Sequence, residues 1–303
     1  VGGSKKTTWA LALILAISCI TTTAAAQDPA TDPAQTNAAD LETTRGLAMG
    51  AGARASALSS SALAYNPAAM ALAPLYHVES QAQFSPAFGR WAFGGNVVDS
   101  MSNKLAAGMS FIGTIGNGES GYSGMDGRVG LAFPIVDSVA IGLSGRYMSY
   151  GREGDAPAGV DQDSPVGQGF TMDGSIALSL DIVRIAAIAQ NFIDIGSLLA
   201  PFRAGGGVAL LLGDYLTISA DVLADLNSFE NPEALVGGGL EFLAGGIVPL
   251  RAGYRYDSGR GAHSITGGLG YVDQQFGIEL ALRQDVGNTD NTEVMLSIRY
   301  FVQ

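Results

Sequence analysis

The sequence predicts an all-β chain: about fourteen antiparallel strands closed into a transmembrane barrel, preceded by a separate N-terminal segment with a short helix. Three observations predict it. From Leu75 to Gln303, segments of about ten residues alternate in character, the length that crosses a bilayer when tilted. Short and long connections alternate along the same stretch. One of the two faces so defined is almost free of charge.

The alternation is clearest from Phe170 to Asp181. Phe170, Met172, Gly174, Ile176, Leu178 and Leu180 form one set, and Thr171, Asp173, Ser175, Ala177, Ser179 and Asp181 the other. A strand sends successive side chains to opposite faces, so the segment has one apolar and one polar face. Reading the chain this way places strands near 75–85, 90–98, 104–115, 123–133, 139–150, 169–181, 184–192, 203–212, 215–225, 233–243, 249–257, 263–272, 276–285 and 292–302. By itself this pattern fits either a soluble sandwich or a membrane barrel.

The connections separate the two. With both ends of the barrel in the periplasm, the inner turns fall at 99–103, 134–138, 182–183, 213–214, 244–248 and 273–275. The outer loops include 116–122, 151–168, 193–202 and 226–232, with 86–89 a short exception. Short inner turns and long outer loops are what an outer-membrane barrel requires. The faces agree. One carries Trp91, Phe93, Met109, Phe111, Val129, Leu131, Phe133, Ile141, Leu143, Leu250, Tyr254, Ile278, Leu280, Leu282, Leu296 and Ile298. A basic residue there would cost about 2–4 kcal/mol at the bilayer midplane. The other carries His77, Glu79, Gln81, Gln83, Asn96, Asp126, Arg128, Arg146, Asp173, Asp181, Arg203, Asp221, Glu241, Arg251, Arg255, Glu279, Arg283 and Arg299. Arginines balanced by acids suit a confined wet lumen, where unpaired charge is costly.

The segments before the strands divide by composition. Residues 1–26 read as a signal peptide: Lys5 and Lys6, an apolar core from Trp9 to Ile17, and Ala24-Ala25-Ala26 before Gln27. The apolar run is too short for a spanning helix. Cys19 raises a lipoprotein alternative, which Ala16 three residues earlier disfavours. Cleavage would start the mature chain near Gln27 and remove the single cysteine, leaving no disulfide or thiol chemistry. It takes the formal net charge from −12 to about −14, because Lys5 and Lys6 leave and no acid does. That balance argues against nucleic acid, which needs a basic footprint. Residues 27–44, rich in Ala, Thr, Asp, Pro and Gln, have the composition of a flexible tether. Residues 45–74 are Ala-, Gly- and Ser-rich and not strand-like. They form a separate element, with a short helix over Ser56–Tyr65 that Pro67 limits. The barrel takes 75–303.

Within this segment, Arg45-Gly-Leu-Ala-Met-Gly-Ala-Gly-Ala-Arg-Ala55 and Ala62-Leu63-Ala64-Tyr65-Asn66-Pro67-Ala68 resemble the start of FadL-like outer-membrane proteins. The Ala-Met-Gly and Asn-Pro-Ala elements look closer to the PorV/PorQ branch of that superfamily. The resemblance implies that 45–74 is a short helical plug or hatch in the lumen, that the barrel has fourteen strands and lies in the outer membrane of a Gram-negative bacterium, and that it transports small hydrophobic, fatty-acid-like molecules passively. The PorV side of the superfamily implies instead surface docking of a secreted protein partner, and a structural barrel with a sealed lumen is a third reading. The chain is short for a fatty-acid transporter, so its outer loops are reduced.

Candidate site residues follow from both lines. Asn66 and Pro67 either shape a gate in the lumen or stop a helix with a side-chain cap. Gly94, Gly95 and Asn96 either kink the second strand to open the wall or simply let it sit against the plug. Arg128 and Arg146 either bind an anionic head group or tie plug to wall. Catalysis finds no support: the two histidines, His77 and His263, have no evident nucleophile, and Gly-x-Ser-x-Gly is absent. No His or Cys spacing suggests a metal, and the Asp285–Asp290 loop does not follow the EF-hand pattern. No cofactor is expected. The expected partners are outer-membrane lipids, a hydrophobic small molecule and, on the docking reading, a secreted protein.

Overall fold

The computed structural model describes residues 43–117, 122–153, 165–286 and 291–302. The expected signal peptide, residues 27–42 of the expected tether, and parts of the loops at 118–121, 154–164 and 287–290 lie outside the described residues.

Strand-forming segments appear wherever the sequence alternates. In chain order they are β1 (Tyr76–Ser85), β2 (Arg90–Asp99), β3 (Ala106–Ile115), β4 (Tyr122–Val136), β5 (Val139–Arg152), β6 (Gly167–Ser179), β7 (Val183–Gln190), β8 (Arg203–Leu212), β9 (Leu216–Asp225), β10 (Glu233–Ala244), β11 (Val248–Asp257), β12 (Ala262–Val272), β13 (Phe276–Val286) and β14 (Thr292–Phe301). Each pairs antiparallel with its sequence neighbours, and β1 closes on β14 through His77↔Phe301 to Phe84↔Val294. The result is a closed fourteen-stranded antiparallel barrel. Closure leaves no edge strand, which is what allows a β-structure to span lipid.

The period-2 pattern sets which way each residue points. In β13, Phe276, Ile278, Leu280 and Leu282 are exposed, and Gly277, Glu279, Ala281 and Arg283 are buried. The same division holds around the wall, with Met109 and Phe111 at 56% and Val129 at 57% exposure. Apolar side chains left in the open at this density all round a closed wall form the lipid-facing belt of a transmembrane barrel. The buried set is polar: His77, Glu79, Asp126, Arg146, Asp173, Asp221, Glu279 and Arg283 all point inward. Asp181 departs from the expected lumenal set. β6 ends at Ser179, so Asp181 falls in the exposed turn before β7.

The turns segregate by end. The β4–β5, β6–β7, β8–β9, β10–β11 and β12–β13 connections are all tight and lie at the end where β1 starts and β14 finishes. The β10–β11 turn, three residues between the Ala244↔Val248 pair, uses Gly245 (φ 61°) and Gly246 (φ 76°), left-handed backbone that favours glycine. At the β12–β13 turn Asp273 accepts from the Gln275 and Phe276 amides at 2.8 Å each, which holds its carboxyl below the usual range. The β5–β6, β7–β8 and β9–β10 loops lie at the opposite end.

Candidate functional site

The lumen is occupied by the segment from Thr43 to Ala73. Its chemistry explains its shape. Thr43 accepts from the Gly46 amide at 3.2 Å and starts helix α1 (Thr44–Ala48). Gly50 (φ 62°) and Ala51 (φ 59°) then turn the chain in left-handed backbone, and helix α2 (Ser59–Tyr65) follows. Asn66 ends α2 and opens a 3-10 turn, Pro67–Leu72. The plug therefore takes in Thr43 and Thr44, both buried, ahead of the expected start at Arg45.

These pieces make a circuit of the wall. Helix α1 lies against β11–β14, α2 against β1–β3, and the 3-10 turn against β3–β6. Between the helices, Gly50 meets Tyr254 of β11 and Gly52 meets Gly238 of β10. Arg54 reaches Asp221 of β9, and Ala55 packs with Ala186 of β7 and Ala209 of β8. Glycines on the wall make the seat. A Cβ at Gly239 would stand 2.7 Å from the Met49 Cβ, and one at Gly130 would stand 2.7 Å from a Leu63 methyl. Gly237, Gly253 and Gly142 likewise leave room for plug backbone. Leu63, Ala68 and Met70 join Val98, Ala106, Ala132 and Ala140 in an apolar cluster between plug and wall.

Charge ties the two parts together. The plug carries Arg45 and Arg54 and no acid. Arg45 grips Glu241 with both Nε and Nη2, each at 2.9 Å. From there a relay runs along the wall. Arg251 bridges Glu241 at 2.5 Å and Glu279 at 2.6 Å, and Arg299 bridges Glu279 at 3.1 Å and Glu79 at 3.0 Å. Ser60 of the plug donates to Glu79 and closes the relay on α2. Breaking one partner of such a buried pair costs about 3–5 kcal/mol, because the other charge is stranded. Arg54 sits apart. Its backbone amide and Nη1 reach the same Asp221 oxygen at 2.8 and 3.2 Å, with the guanidinium 5.3 Å from the Tyr65 ring centre.

The candidate residues fall into place around this seat. Asn66 is fully buried. It donates from Nδ2 to the Arg54 carbonyl at 3.0 Å, so it braces the plug against itself while ending the helix. The turn at Pro67 presses on Gly142, and the Ala68 amide donates to Ser175 Oγ at 2.9 Å. Arg128 donates to the carbonyls of Leu63 at 3.2 Å and Ala64 at 2.6 Å, at the C-terminal end of α2, and pairs with Asp173 at 3.5 Å. Arg146 pairs with Asp126 at 2.5 Å within the wall. Gly94–Asn96 form no bulge. Pairing runs without a shift from Tyr76↔Asp99 to Ser85↔Arg90 on one side and from Trp91↔Ile115 to Asp99↔Ala107 on the other. Gly94 instead leaves space beside the inward Ile112, and Asn96 Oδ1 lies 3.2 Å from His77 Nε2.

The long-loop end of the lumen is different. Tyr122, Met148, Tyr150, Val166, Leu199 and Ala200 form a buried apolar cluster with Ile195 packed on it. The two tyrosines meet edge-to-face at 5.2 Å, and Arg90 lies 4.8 Å over the Tyr122 ring. The arrangement makes this end of the lumen apolar and aromatic, and it places no nucleophile beside a base. Sequence reading did not find this cluster, because Leu199 and Ala200 belong to the β7–β8 loop and alternation says nothing about loops. The glycine seat was visible in principle as glycines at inward strand positions.

No protein-family model matches the chain, and no curated protein matches its sequence. Solved structures do. The Ralstonia pickettii toluene transporter TbuX superposes with a TM-score of 0.60 at 14% identity, over 86% of this chain and 98% of that one. The CymD monoaromatic hydrocarbon channel superposes with a TM-score of 0.57 at 11% identity, over 79% and 91% of the two chains. The chain shares their fold. Identity this low carries the likeness no further than architecture.

Proposed function

We propose that the protein passes small hydrophobic molecules passively across the outer membrane of a Gram-negative bacterium, with the long-loop end facing outward. The observation that carries this reading is the contrast within the lumen. An apolar, aromatic-edged cluster lies at the long-loop mouth, above a plug that touches every strand of the wall. A plug seated so closely disfavours free flow of hydrated ions, and an apolar mouth favours uncharged solutes. The fold is shared with a toluene transporter and a monoaromatic hydrocarbon channel, which supports the same solute class. Membership of the FadL-like superfamily fits these features. The finer placement in the PorV/PorQ branch rests on the Ala-Met-Gly and Asn-Pro-Ala elements alone.

The test is to purify the protein in mild detergent and analyse organic extracts by mass spectrometry, beside uptake by cells with and without it. Bound fatty acids or aromatic hydrocarbons together with faster uptake are the expected result. An extract matching the detergent blank and unchanged uptake would overturn the reading, and a stoichiometric co-purifying protein would favour docking.

A further inference from the structure

Arg184 stands outside the charge relay of the lumen. It is the second residue of β7, at the tight-turn end. The alternation points it inward: Ile185 and Ala187 are exposed, while Ala186 and Ile188 are buried. Its ladder partner Ala209 is fully buried, packed with Ala186 and with Ala55 of the plug. The Arg184 Nε is shut off from solvent and meets no acceptor. Among the described residues the side chain makes no hydrogen bond or ion pair. Asp181, three residues earlier, lies in the exposed turn and does not pair with it.

The charge that bears on Arg184 is a like one, that of Arg45. Arg45 reaches this side of the plug, where its Nη1 donates to the Ser56 carbonyl at 3.0 Å, next to Ala55. The relay itself is balanced. Arg45, Arg251 and Arg299 share Glu241, Glu279 and Glu79, which leaves none of those carboxylates for Arg184. A guanidinium that is partly desolvated, unpaired and beside a second one is costly until an anion reaches it.

The chain carries such anions close by. Residues 27–42 run directly into the plug and hold Asp28, Asp32, Asp40 and Glu42 with no lysine or arginine. Asp40 and Glu42 precede Arg45 by five and three residues. Extended backbone covers at most about 3.6 Å per residue, so their α-carbons stay within about 18 Å of that of Arg45. Of the cations gathered there, Arg251 and Arg45 already have carboxylates and Arg184 has none.

We propose that Arg184 is the docking point of the acidic segment 27–42, its guanidinium receiving the carboxylate of Asp40 or Glu42. The segment whose composition suits a free tether is then pinned on the β7–β8 side of the lumen. The pin offsets the repulsion between Arg184 and Arg45 and fixes the chain just ahead of the plug. It holds whether or not the lumen passes a solute.

The test reads the mobility of the segment. In a Cys19→Ser background, Ala38→Cys carries a nitroxide, and its electron paramagnetic resonance spectrum is recorded on the purified barrel in mild detergent. With the native charges the slow component is expected to dominate. Arg184→Gln should convert it to the fast component, and Arg184→Lys should retain part of the slow one. Asp40→Asn with Glu42→Gln, which leaves the wall untouched, should release the label as fully as Arg184→Gln. Arg184→Glu with Asp40→Lys and Glu42→Lys should restore the slow spectrum. Heat-modifiable gel mobility checks that each barrel is closed. A fast spectrum with the native charges would overturn the proposal, as would a slow one that Asp40→Asn with Glu42→Gln leaves unchanged. Release by Arg184→Gln without recovery in the charge swap would also overturn it, since Arg184 would then hold a free anion such as phosphate or an acidic partner protein.

Discussion

Asn66, Arg128 and Asp173 show how single side chains hold the assembly. Asn66 and Arg128 were candidates from the sequence, and both turn out to secure the plug: one braces it internally, the other caps the exposed carbonyls at the end of α2. A cation there is favoured by the helix end and by Asp173 together. Arg128→Ala should strand Asp173 and destabilise the seat by about 3–5 kcal/mol. The expected outcome is a barrel that still shows heat-modifiable gel mobility but whose segment 43–73 becomes a protease target; Arg128→Lys should restore part of the protection. An unchanged digestion pattern would contradict the role. The residue types were legible because inward polar positions stand out from the apolar alternation. Their partners were not, since which arginine meets which acid depends on strand register and on where the plug lies.

Among the elements, the strands were almost fully legible and the plug only in outline. Every strand lies within three residues of its expected ends, because lipid outside and water inside impose the same two-residue period on each one. The plug has no such period. Its composition separated it from the wall, and Pro67 marked the end of α2, but its path is set by glycines on strands distant in sequence. Gly239→Val tests this. The added side chain meets Met49, whose backbone is itself held against Gly253, so the seat cannot yield locally. The variant should show stepwise conductance in planar bilayers well above wild type, with barrel closure retained on gels. Conductance equal to wild type would mean that the plug is not seated as described.

For the whole molecule, the balance of charge between plug and wall has a measurable consequence. The plug brings two arginines and no acid into the lumen, and Glu241 and Asp221 receive them. Deleting 43–73 leaves those carboxylates facing water. The truncated barrel should conduct and should favour cations, seen as a shift in reversal potential under a salt gradient that weakens at high ionic strength. Anion selectivity or no conductance would contradict this account of the lumen.

From the sequence alone came the barrel itself: strand number, strand positions, the lipid-facing set, the end that carries the long loops, and an N-terminal segment distinct from the strands. Each follows from local periodicity or composition, which one-dimensional information carries in full. Tertiary structure alone decided the rest: the charge relay from Arg45 to Glu79, the glycine seat, and the apolar cluster at the mouth. These depend on register, on the reach of a loop and on close approach of segments far apart in the chain. No alternation of residue types encodes such distances.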